Sequence, residues 1–102
     1  MTAIARHEFV AWQAGVVDKS RYSAAMQAAM TDAQIARTSK NLSELGALER
    51  TQWLGPYQAP PDEPGAKSYL FRMFCAIHPV YVLLTIAPDG KIAGIAFRDS
   101  LD

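Results

Sequence analysis

The sequence predicts an α+β domain: three N-terminal helices packed on a curved antiparallel sheet of about four strands. Two observations carry the prediction. Apolar residues recur at helical spacing before residue 48 and alternate in strand fashion across residues 69–98. The clearest local signal is the turn Ala87-Pro88-Asp89-Gly90-Lys91, set between two apolar runs. At 102 residues the chain is one domain, 1–102, large enough to bury a single core.

In the first helix, over residues 3–16, Ile4, Phe9, Trp12 and Val16 form the apolar stripe, and His7, Glu8 and Gln13 fall outside it. Gly15 is the expected stop, because glycine tolerates the left-handed cap. Asp18 is the expected cap of a second helix, with Tyr22, Met26 and Met30 on one face. Thr31 followed by Gln34 matches a capping box and opens a third helix, whose buried side carries Ile35, Leu42 and Leu45 and which Gly46 ends.

Residues 47–54 form a strand candidate stopped by Gly55-Pro56. Pro60, Pro61, Pro64 and Gly65 make residues 58–66 a long loop, the natural lid or mobile rim. Residues 67–77 alternate well, with Tyr69, Phe71, Met73, Cys75 and Ile77 on one side and Leu70, Arg72, Phe74 and Ala76 on the other. After the His78-Pro79 turn, Val80, Val82, Leu84 and Ile86 share a face, opposite Tyr81, Leu83, Thr85 and Ala87. Residues 92–97 return as the last strand, where Gly94 marks a bulge, a bend or a close approach.

Both faces of these strands are substantially apolar, yet three short helices cover only one. The second face is therefore expected to meet a partner, a ligand or another domain, with Leu70, Phe74 and Leu83 as the interface residues and a homodimer as the commonest solution.

Ten acidic residues balance ten basic ones, and the basic ones are scattered singly, so nucleic-acid binding is not expected. No apolar run is long enough to cross a bilayer, no secretory signal is evident, and a single cysteine, Cys75, forms no internal disulfide. These features fit a cytoplasmic protein with no membrane role. His7, His78 and Cys75 lack metal-ligand spacing, so neither a metal nor a cofactor is expected. Cys75 alternates in phase with Phe71 and Ile77 and fits a small core residue better than a nucleophile. No Gly-x-Ser-x-Gly elbow or phosphate loop is present. Trp53, Tyr57, Arg72 and Tyr81 form the most promising polar-aromatic set, suited to a small apolar or anionic ligand if the outer face is cupped.

Leu42-Ser43-Glu44-Leu45-Gly46, Tyr69-Leu70-Phe71 and residues 86–97, Ile-Ala-Pro-Asp-Gly-Lys-Ile-Ala-Gly-Ile-Ala-Phe, resemble the NTF2-like (cystatin-like α+β) superfamily. The nearest resemblance is to small bacterial domains found alone or appended to serine hydrolases related to β-lactamases. The resemblance implies a cone in which a curled sheet wraps a helix and leaves a pocket open to one side. Its members include isomerases, cyclases, dehydratases, transport carriers and accessory domains, so fold alone does not select a function. No catalytic residue carries over. The first expectation is a non-catalytic ligand-binding or protein-interaction domain, homodimeric or accessory to an enzyme. The alternative is a small cone-pocket isomerase, cyclase or lyase acting by proton transfer.

Overall fold

The computed structural model describes every residue except Pro60, Asp62, Glu63 and Asp102. Three helices, α1 (Thr2–Ala14), α2 (Ala24–Ala29) and α3 (Asp32–Ser43), precede four strands, β1 (Leu48–Tyr57), β2 (Lys67–Cys75), β3 (Val80–Ile86) and β4 (Ile92–Arg98). The strands form one open antiparallel meander in the order β1-β2-β3-β4. The α+β class predicted from the sequence is therefore the observed one.

Local chemistry explains most boundaries. Gly15 closes α1 in the left-handed conformation, φ 73°, where its N–H reaches back to the last-turn carbonyls. Thr31 caps α3, its hydroxyl accepting from the Gln34 N–H at 3.1 Å. The second helix departs from expectation. Asp18 caps only a 3₁₀ turn, Lys19–Arg21, and α2 starts five residues later on a cap from Ser23. Between them Tyr22 is extended and bridges Ile92 in parallel, while the Ser23 N–H donates to the Ile92 carbonyl at 2.9 Å. That short pairing interrupts the helix and covers the start of the β4 edge.

β1 also differs. It runs through Gly55 and Pro56 to Tyr57 rather than stopping before them. As the outer strand it has one edge with no ladder to complete, so proline is tolerated. Gly55, at φ 109°, absorbs the bulge between the Trp53 and Gly55 pairings. At β4 the bulge falls at Ala93, since Thr85 pairs with Gly94 and Ile86 with Ile92.

The core lies between the helices and one face of the sheet. Phe9, Trp12, Tyr22, Met30, Ile35 and Leu42 meet Phe71, Met73, Cys75, Val80, Val82, Leu84 and Ile92. The rings of Phe9 and Trp12 both pack edge-on against Phe97 from β4.

Candidate functional site

Cross-strand partners point to the same face of a sheet, so the register sorts every strand residue. The helix-covered face carries Trp53, Tyr69, Phe71, Met73, Val82, Leu84, Ile95 and Phe97. The outer face is built of rows: Tyr57, Ser68, Thr85 and Gly94; then Gly55, Leu70, Leu83 and Ala96; then Gln52, Arg72, Tyr81 and Arg98; and finally Arg50 with Phe74.

The helices leave a cleft on their own side. It holds about 640 Å³, between α2, α3 and the β3–β4 part of the sheet. Trp12, Met30, Leu42, Val80, Ile95 and Phe97 give it an apolar floor, and Gln34, Thr38, Asn41, Glu44 and Asp99 a polar rim. Gln34, Thr38 and Asn41 follow one another at four- and three-residue steps, which places them on one side of α3, and Leu45 follows just past its end. Asp99, just past the end of β4, joins the rim beside Phe97. The rim contains two carboxylates and no lysine or arginine, although Arg37 on the adjoining side of α3 reaches Gln34 at 3.5 Å.

Behind the cleft floor runs a buried polar chain. The Trp12 indole Nε1 donates to the Tyr22 hydroxyl at 2.8 Å, and that hydroxyl donates to Glu8 Oε1 at 2.7 Å. Arg21 Nη1 donates to Glu8 Oε2 at 3.2 Å. The His7 ring closes the group, its Nδ1 2.9 Å from the same carboxylate oxygen and 2.8 Å from Arg21 Nη1. Glu8 is only 1% exposed, although the helical stripe places it outside the core. These bonds are the reason: a buried carboxylate is tolerable when hydrogen-bonded and paired. Burial, then the hydrogen bond to Glu8, pushes the Tyr22 phenol well above its ordinary value of 10.0. Glu8 does not line the cleft, because Trp12 and Tyr22 stand in between.

The four residues expected to bind a ligand do not form one set. Arg72 and Tyr81 are direct partners on the outer face, the guanidinium lying 4.0 Å from the ring centroid. Tyr57 shares that face but sits two rows away, about 14 Å along the strand. Trp53 faces the helix side at the β1 edge, packed on Tyr69 and Phe71 and 44% exposed. Of the three expected interface residues, Leu70 is buried under its own neighbours, whereas Phe74 and Leu83 are half-buried. Phe74 lies beneath Arg50, 4.1 Å from guanidinium carbon to ring centroid. No helix covers this face, but arginine stems shield part of it.

Cys75 is buried in the core, and burial, then the nearby Glu49 charge, pushes its thiol up, away from nucleophilic use. Among the described residues no three His, Cys, Asp or Glu side chains gather as metal ligands. Among the described residues no helix is long and apolar enough to cross a membrane. Sequence reading missed the cleft rim, the Glu8 cluster and Arg50 and Arg98 as companions of Arg72. The only advance signal was the spacing of Gln34, Thr38 and Asn41 on a helix beside apolar residues. Comparisons with protein-family models, with curated proteins and with solved structures found no match.

Proposed function

We propose that this domain binds a small, largely apolar ligand in the cleft between α2, α3 and the β3–β4 part of the sheet, without catalysis of its own. The carrying observation is the cleft itself: a space of about 640 Å³ with an apolar aromatic floor and a short polar rim. Its volume lies in the range of ordinary ligand sites, roughly 300–1,000 Å³, and its lining offers a ligand both apolar and polar contacts. The rim carboxylates Glu44 and Asp99 favour a neutral or cationic ligand over an anionic one. Three helices followed by an open antiparallel meander, with a cleft between them, also suit the NTF2-like reading.

Binding is favoured over proton-transfer catalysis by where the titratable groups stand. A general base works best buried or paired at the reacting atom, with its pKa tuned towards neutrality. Glu44 and Asp99 are exposed on the rim, and the buried Glu8 is held behind Trp12 and Tyr22.

The test uses the neutral fluorophore N-phenyl-1-naphthylamine as the probe. Wild-type protein should bind it saturably with one site per chain, and Thr38→Trp, which puts an indole into the cleft from α3, should weaken binding about tenfold or more. An unchanged urea midpoint would show that the variant still folds. Absence of saturable binding, or equal binding by the filled variant, would overturn the proposal.

A further inference from the structure

The outer face of the sheet carries a charge pattern that the balanced net charge conceals. Arg72 and Arg98 flank Tyr81 in one cross-strand row, and Arg50 stands in the adjoining row beside Phe74. The three arginine positions thus lie about 8–16 Å from one another, given the spacing of neighbouring strands and residues. Among the described residues no carboxylate occupies any of these rows, and none of the three arginines is in an ion pair. Arg72 Nη1 is enclosed and has no acceptor. Of the described acids nearby, Asp99 lines the helix-side cleft, and Glu49 stands close enough to the core residue Cys75 to push its thiol up.

Stacking of Arg50 on Phe74 and Arg72 on Tyr81 shields apolar rings from water. Shielding explains two of the arginines. It does not explain Arg98, or why no acid among the described residues answers the three charges. Next to them, Leu83 and Ala96 form a half-buried apolar seat beside the buried Leu70.

We propose that this face docks an acidic segment of a partner protein, with two or three carboxylates on Arg50, Arg72 and Arg98 and an apolar side chain over Leu83. Arginine forks bind carboxylates in pairs of parallel hydrogen bonds, and a guanidinium already held on an aromatic ring loses less freedom when it does so. A second copy of this chain is the poorer occupant. Face-to-face packing brings three arginines against three, a like-charge cost that the homodimer expected from the sequence must overcome. A nucleic acid is also poorer. It carries a charge at every nucleotide, and three arginines make a short track on a chain of zero net charge.

The experiment titrates the 102-residue chain with a fluorescein-labelled Glu-Leu-Glu-Leu-Glu peptide and its Gln-Leu-Gln-Leu-Gln counterpart at 50 and 200 mM salt. The acidic peptide should bind, weaken with salt, and lose about tenfold or more in affinity when Arg50, Arg72 and Arg98 are all changed to Gln. The Arg98→Gln single variant, at an exposed position, should show part of that loss with an unchanged urea midpoint. Equal binding of both peptides, no loss in the triple variant, or no binding at all would overturn the proposal. So would tighter binding of a twelve-residue oligothymidylate, or a dimer by light scattering that disappears when Leu83 becomes Asp. None of these results touches the cleft, so the two proposals fail separately.

Discussion

The two faces of this sheet are built from the same four strands, one residue out of phase, and they are stabilised differently. Towards the helices, Phe71, Met73, Val82 and Leu84 are completely enclosed, and close packing against Phe9 and Met30 supplies the stability. Towards solvent, Phe74, Tyr81 and Leu83 are half-covered, and much of that cover is arginine. An apolar strand face is thus not committed to a second core. Long cationic side chains can lie across it and leave it soluble, chargeable and open to a partner.

Phe71 and Phe74 test that contrast most sharply, since they are the same residue on opposite faces of β2. Phe71→Ala opens a cavity in the core and should cost about 3–5 kcal/mol by urea denaturation. Phe74→Ala leaves its neighbours free to relax into solvent and should cost about 1 kcal/mol. Equal costs would mean that the outer face is packed as tightly as the inner one.

The next largest effect belongs to the buried polar chain. Tyr22→Phe removes the acceptor of the Trp12 indole and a donor to Glu8 in one step, leaving both buried groups short of a partner. The expected loss is about 2–3 kcal/mol. A loss below about 0.5 kcal/mol would mean that water or other groups replace the hydroxyl.

The pH dependence follows in size. Tyr22 and Cys75 both have raised pKa values in the folded chain, so above their ordinary values the unfolded chain gives up protons that the folded chain keeps. Stability should therefore decline as pH rises through about 8.5–10 and beyond. The decline should be smaller in the Cys75→Ala and Tyr22→Phe variants, each measured against its own neutral-pH value. At the acid end, hydrogen bonds from the Ser20 side chain and backbone hold the Asp18 carboxyl below its ordinary value. Its contribution is present above the unfolded pKa and is lost as pH falls through the folded one. Because the group is fully exposed, Asp18→Asn should flatten the acid limb only slightly.

Local signals in the chain were legible wherever the physics is local. The Gly15 stop, the Thr31 cap and the Pro88-Asp89-Gly90 turn each depend on residues within four positions of one another. The alternation of β2 and β3 was equally readable, because the period of a strand needs no partner to define it. Features that depend on contacts between distant segments were not. Glu8 looks solvated by helical periodicity, and its burial becomes tolerable once Arg21 and Tyr22, 13 and 14 residues on, join the neighbouring His7 in bonding it. Tyr22 looks helical until Ile92 is placed beside it. Pro56 reads as a stop, yet β1 continues because it is the outer strand with a free edge. The arginine rows need the strand register, which alternation within single strands does not supply.

The cleft reading is tested most directly by amide chemical-shift mapping during titration with N-phenyl-1-naphthylamine. Saturable shifts are expected at Met30, Thr38, Leu42 and Phe97, with the outer-face residues Leu83 and Tyr81 moving little. Shifts centred on Leu83 and Tyr81, or none at the cleft at saturating probe, would contradict the cleft reading.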